Sequence, residues 1–291
     1  MTSPPTMIGL ELPDIARWSD RVVVALGQNP SVFTGPGTNT YLIGTGRQRI
    51  LLDTGGGEPE YLGVLERAMD ESGCEGLQEI VLTHGHPDHI GGAIALNDHF
   101  GPVRVSKKAW PEVDENYHLD LRLLEDGDVI ETEGARLRAV YTPGHAIDHL
   151  CFVLEEEGSL FSGDNVLGVG TTVIPSKSGC LGDYMRSLRR LLEERPNAIY
   201  PAHGPLIADG SAKIREYIAH REERDGQILT ALREGATTIP AIVKIVYAAY
   251  PESLHAAAGQ SVCSHLLELE LAGRVARAGA DDPLVDDWRL A

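Results

Sequence analysis

Thr83-His84-Gly85-His86-Pro87-Asp88-His89 decides how this chain of 291 residues is read. Three imidazoles and a carboxylate fall within six positions, while the whole chain carries 11 histidines, so the clustering is not an accident of composition. The run follows Glu79–Leu82, an apolar stretch that reads as a buried strand ending at Thr83. Gly85 and Pro87 favour an irregular loop over a helix here, and a loop can aim alternate side chains in different directions. Histidine and aspartate are donors of the kind zinc takes. The stretch therefore predicts a metal-binding loop at a strand's end.

Four donors cannot close two metal sites, and the chain offers more further on. Thr142-Pro143-Gly144-His145 follows a predicted strand over 136–141. Ser162-Gly163-Asp164-Asn165 follows another over 159–162, and Pro201-Ala202-His203-Gly204-Pro205 follows Ala198–Tyr200. Each sets one donor among Gly and Pro at a strand end, where loops gather reactive groups on a rigid scaffold. Upstream, residues 21–26 read as a strand, 27–39 as a Gly/Pro/Asn-rich loop, and Thr40–Ile43 and Arg49–Leu52 as two short strands. Further strands are predicted at 103–106 and 150–155. Residues 59–72 carry helical spacing through Tyr61, Leu62, Leu65 and Met69. A second helix begins at Asp183, presents Tyr184, Leu188, Leu191 and Leu192, and stops before Pro196. Strands with interspersed helices predict an α/β protein whose helices pack outside its sheets.

The character changes near residue 210. Residues 212–234 read as one long helix, Thr238 and Pro240 open a second, and a third runs from Leu254 to Leu271 and stops at Gly273. Arg274–Arg277 then reads as a short strand. The chain divides into residues 1–210 and a small winged-helix-like helical unit over 211–291.

Taken together, HxHxDH with the later Gly-His, Gly-Asp and Ala-His-Gly turns resembles the signature of the metallo-β-lactamase superfamily, over roughly residues 20–220. The resemblance implies an αββα sandwich of two mixed sheets and a site for two zinc ions per chain. By position, His84, His86 and His145 resemble the ligands of a first metal, Asp88, His89 and His203 those of a second, and Asp164 the bridging carboxylate. Asp53 matches an early Asp of the family, expected to orient the histidine loop. Asp88 is expected to hold the nucleophile by a hydrogen bond, and His149, four residues past a ligand, to orient substrate or support the ligands, so both are taken as catalytic. The implied chemistry is hydrolysis by a metal-bridging hydroxide, whose proton the two cations make easy to lose. No G-x-S-x-G nucleophile element is present.

Finer likeness narrows the branch. Leu26–Pro30, Gly37–Gly46, Asp183–Leu188 and Ile199–Pro205 are similar to the β-lactamase-like protein 2 group, as is the winged-helix-like tail. That group contains a single-stranded RNA endoribonuclease and thioesterases acting on acyl carrier proteins, and a shared fold does not choose between them. The net charge of −18 repels phosphate backbones and anionic membranes at long range. The tail from residue 206 holds nine Lys and Arg against thirteen Asp and Glu, whereas a nucleic-acid-reading winged helix is usually basic. Local positive clusters are confined to Lys107-Lys108 and Arg186/Arg189/Arg190. The reading therefore favours an ester, thioester or lactam carbonyl, with RNA phosphodiesters as the alternative. Gly85 departs from many relatives, which carry an aromatic residue there. A di-iron redox relative is disfavoured because position 86 is His rather than Glu. Cys74, Cys151, Cys180 and Cys263 are scattered and read as core or half-buried thiols. With no secretory signal or membrane span in the sequence, cytoplasmic residence is expected, and the tail is expected either to pack over the active-site mouth or to mediate a homodimer.

Overall fold

The strands upstream of residue 124 assemble into one sheet and those between 129 and 201 into another. In the computed structural model, which describes residues 6–279 and 282–291, the first sheet runs in chain order. It comprises β1 (Ile15–Arg17), β2 (Val22–Leu26), β3 (Asn39–Ile43), β4 (Gln48–Leu52), β5 (Gly76–Val81), β6 (Arg104–Lys107) and β7 (Leu121–Leu123). Its pairs are antiparallel up to β4 and parallel from β4 onward. The second sheet comprises β8 (Val129–Thr132), β9 (Ala135–Tyr141), β10 (Leu150–Leu154), β11 (Ser159–Gly163) and β12 (Ile199–Pro201). Its pairs are antiparallel except β11 with β12. A separate hairpin pairs β13 (Val275–Ala278) with β14 (Asp287–Leu290). The helices are α1 (Pro59–Ser72), α2 (Pro87–Ile90), α3 (Ala93–Phe100), α4 (Pro111–Asp114), α5 (Leu181–Glu193), α6 (Gly210–Arg233), α7 (Ile239–Val246) and α8 (His255–Leu271).

The unbroken apolar run of β2 shows why the sheets are covered on both sides. Val22 and Val24 face inward with Tyr41, Ile50 and Leu52, and meet Leu137, Phe152 and Phe161 of the second sheet. Val23 and Ala25 face outward onto Tyr61 and Leu65 of α1 and Leu96 of α3. On the far side, Val140, Cys151 and Leu160 pack against Tyr184 and Leu188 of α5 and Ile214 and Tyr217 of α6. The result is the expected αββα sandwich. α6, 24 residues long, leaves this core and enters another. Its Ile228, Leu229 and Leu232 pack with Ile242 of α7, Val262 and Leu266 of α8, and Trp288 of the β13–β14 wing.

Capping explains several boundaries. Asp209 accepts a hydrogen bond from Ala212 N at 2.8 Å to open α6, and Thr238 accepts one from Ala241 N at 3.3 Å to open α7. The reading of the histidine stretch as loop holds only to His86. Pro87 starts the helical turn α2, because its fixed φ and missing N–H suit a first helical position. Helix α5 begins at Leu181, two residues before the predicted Asp183. Cys180 is exposed at the start of that helix, correcting the reading of all four thiols as core or half-buried, whereas Cys74, Cys151 and Cys263 are buried. No helix among the described residues is long and apolar enough to cross a membrane.

Candidate metal centre

All seven predicted donors meet where the C-terminal ends of β5, β9, β11 and β12 converge between the sheets. Two groups form, His84 with His86, His145 and Asp164, and Asp88 with His89 and His203, the donor atoms of each lying within 4.8 Å of one another. Asp164 reaches both. Its Oδ2 lies 3.3 Å from His145 Nε2, and its Oδ1 lies 3.1 Å from His203 Nε2 and 3.5 Å from His89 Nε2. Asp88 Oδ2 lies 3.3 Å from His203 Nε2 and 3.6 Å from His89 Nε2.

The ring orientations are set from behind. Asp53 is buried and receives the His89 Nδ1–H at 2.8 Å, the Thr83 N–H at 2.8 Å and the Thr83 hydroxyl at 2.9 Å. Thr83 Oγ1 in turn lies 3.1 Å from His84 Nδ1. His145 donates its Nδ1–H to the Val173 carbonyl at 2.9 Å. These bonds leave the Nε2 lone pairs of His84, His89 and His145 aimed at the centre. Thr54 receives no metal-facing role but donates to the His89 carbonyl at 2.6 Å and so ties α2 to the Asp53 turn. Asn39 donates to the carbonyls of Pro201 and Gly204 at 2.9 and 2.8 Å, which fixes the His203 turn against the first sheet. Thr83, Thr54, Asn39 and Val173 were not singled out as site residues. Thr83 opens the histidine stretch, Thr54 stands beside Asp53 and Asn39 lies within Gly37–Gly46, but nothing in the sequence points to Val173.

Of the two roles expected of His149, orienting substrate or supporting the ligands, its surroundings favour the second. It is fully buried, does not line the cavity described below, and accepts the Asp164 N–H on Nε2 at 3.1 Å. Its Nδ1 faces the Thr142 hydroxyl at 3.0 Å. Both nitrogens are spent on holding the Asp164 turn. Gly163, at φ 49°, makes room for that ring, since a Cβ there would fall 2.6 Å from His149 Nε2.

The donors fit divalent cations on two grounds. His84 Nε2 and His145 Nε2 lie 2.9 and 3.0 Å from His86 Nδ1, and with the Nδ1–H of His84 and His145 turned outward the lone pairs of both rings face that nitrogen. His89 Nε2 is buried with no hydrogen-bond partner among the described residues, a state that costs free energy unless an ion compensates it. The electrostatics agree. Burial holds His84 well below, and His145 below, the ordinary imidazole range, and drives His86 to about 4, so these rings are neutral donors. In the second group burial is outweighed. The carboxylates Asp88, Asp53 and Asp164 lift His89 well above its ordinary value, Asp164 foremost lifts His203 to about 9, and these imidazoles hold Asp88 at about 2 against its own burial. The first group is thus a set of neutral lone-pair donors, and positive charge is favoured at the second.

A cavity of about 670 Å³ opens over the centre. His86, Asp88, His145, Asp164 and His203 form its floor, while His84 and His89 lie beneath. Phe33, Leu167 and Val173 contribute one wall, and Tyr247, Tyr250, Leu254 and Ala258 of the helical unit the other. The basic clusters lie elsewhere and are spent. Arg186 pairs with Asp183, Arg189 with Glu222 at 3.4 Å, Arg190 with Asp126 at 2.8 Å and Lys108 with Glu125 at 2.7 Å, and Lys107 is buried.

Comparison with known proteins agrees with this geometry. The profile of the metallo-beta-lactamase superfamily matches residues 33–203, and that of the beta-lactamase associated winged helix domain matches 238–288. An atrochrysone carboxyl ACP thioesterase of Aspergillus chevalieri is 40% identical over 90% of this chain and 84% of its own. A lactamase-like protein of Aspergillus niger is 40% identical over 84% of this chain and 79% of its own. The crystal structure of a metallo-beta-lactamase family protein from Thermus thermophilus superposes with a TM-score of 0.74 at 26% identity, covering 92% of this chain and 98% of the other.

Proposed function

The chain belongs to the metallo-beta-lactamase superfamily of hydrolases, and from that premise we propose that it is a dinuclear zinc enzyme that hydrolyses an acyl carbonyl, a thioester above an ester or lactam. The observation that carries the reading is the convergence of two donor groups on Asp164 at the floor of a largely apolar cavity. Bound zinc would supply a water acidified to hydroxide near neutral pH and Lewis-acid stabilisation of the carbonyl oxygen.

The chain's own residues do the rest. His84, His86 and His145 would hold one ion, and Asp88, His89 and His203 the other, with Asp164 spanning the pair and fixing their separation. Asp88, half-buried and open to the cavity, is placed to hold the nucleophile's proton by hydrogen bond. Asp53 and Thr83 keep His89 and His84 in the tautomers that leave Nε2 free. His149 is a positioning residue for Asp164 rather than a group that touches substrate. The apolar walls exclude water from the acyl group and bind it. A thioester is ranked first because a relative at 40% identity is named a thioesterase, and RNA last because no cation of the sequence clusters is left unpaired for a phosphate backbone.

A panel of acyl thioesters, nitrocefin and single-stranded RNA, each with and without chelator, tests the reading. Expected is chelator-sensitive thioester cleavage, with kcat/KM lowered about 10²-fold or more in Asp88→Ala. Metal-dependent RNA cutting lost in that variant, with thioesters untouched, would replace the substrate assignment. Activity undiminished after complete metal removal would end the whole reading.

A further inference from the structure

Lys107 is fully buried, which is rare for a lysine, and the reaction as proposed makes no use of it. Its ammonium donates to the Lys108 carbonyl at 2.6 Å and to Asp114 Oδ1 at 2.6 Å, and lies 2.9 Å from Asp148 Oδ2. Asp148 is also fully buried, and among the described residues no side chain other than Lys107 reaches its oxygens. Lys107 is its one counter-charge within 4 Å among the described residues. Asp114 passes the restraint on, since its Oδ2 accepts the Trp110 N–H at 2.7 Å.

These three groups belong to three segments around the centre. Lys107 ends β6, Asp114 ends α4, and Asp148 sits in the turn that carries His145. Between them lies Gly85, where a Cβ would stand 3.0 Å from Val113 Cγ1, 3.3 Å from Asp148 Oδ2 and 3.5 Å from the Trp110 ring. The Trp110 ring itself is 6.0 Å from the ring of His86. The space that an aromatic side chain at position 85 would need is thus taken by the segments Lys107 ties together.

We propose that Lys107 is a positioning residue of the metal centre, its ammonium drawing the Trp110–Asp114 segment and the His145–His149 turn against Gly85 so that His86 and His145 face one cation. The proposal rests on the reading of the seven donors as a two-metal site. Removing the ammonium leaves two carboxylates with no cation between them, and the Asp114 and Asp148 segments separate.

Zinc titration of the full chain against a chromophoric chelator tests it, comparing wild type, Lys107→Met and Asp148→Asn. Expected is two bound ions in wild type and, in Lys107→Met, a loss of affinity of tenfold or more for one ion with the other retained, in the range found when the support of a metal ligand is cut. Asp148→Asn, which keeps its side chain's shape, is expected to lose severalfold at the same ion. The cobalt-loaded protein adds a readout that reduced stability alone would leave in place: the visible bands of the histidine-rich site shift in both variants. Should Lys107→Met fail to fold, Asp148→Asn decides the matter alone. Unaltered affinities and spectra in a folded variant would overturn the role of Lys107 and leave the metal site standing. Absence of divalent binding in wild type would overturn both.

Discussion

At the scale of single residues, Asp53 shows what the site asks of the backbone. Its φ of 60° lies in the left-handed region, which an aspartate enters at a cost of about 1 kcal/mol or more. The bonds its carboxylate receives from Thr83 and His89 hold it there. Asparagine tolerates the same backbone, so Asp53→Asn isolates the charge. We predict a loss of zinc affinity of about 10–100-fold with a folded chain, measured by chelator competition; affinity equal to wild type would leave Asp53 a mere turn residue. The seven donors were legible in the sequence because each stands in a short Gly/Pro turn after an apolar strand. Lys107 was not legible. Beside Lys108 it reads as surface charge, and nothing local announces that Asp114 and Asp148 will fold onto it.

At the scale of elements, the segment 167–176 joins the helical unit to the centre. Tyr217 of α6 receives the Leu167 N–H at 2.9 Å and donates to the Gly170 carbonyl at 2.8 Å. Arg221 of α6, also buried, donates to the Thr172 carbonyl at 2.6 Å, and Ser264 of α8 to that of Ile174 at 2.8 Å. Val173 lies between them and receives the His145 ring N–H. Arg221→Met should therefore free the Thr172 carbonyl, lower stability by about 1–3 kcal/mol and reduce kcat/KM by about tenfold or more through His145. Thermal melts and steady-state kinetics check this, and an intact kcat/KM would remove α6 from the account of the site. Periodic elements such as α1 and α5 were readable from their apolar stripes. β7 and β14 were not, and the buried Trp288 of β14 gives its burial away only once Val262 and Leu266 stand opposite.

At the scale of the whole molecule, α6 serves two cores, with Ile214 and Tyr217 in the sandwich and Ile228, Leu229 and Leu232 in the helical unit. A chain ended at residue 209 would uncover the outer face of the second sheet and remove one wall of the cavity. We predict a product that is insoluble, or melts about 10 °C or more lower and turns over its substrate at least tenfold more slowly; a soluble, fully active fragment would make the tail dispensable. The cavity itself is drawn from both extremities of the chain, with Met7 and Phe33 at one side and Tyr250 and Leu254 at the other. Substitutions there reshape the space offered to a substrate without altering one donor. Divergence in what such enzymes accept can therefore proceed far from the histidine motif, and two chains with the same seven donors can part ways in diet while their reactive chemistry stays fixed.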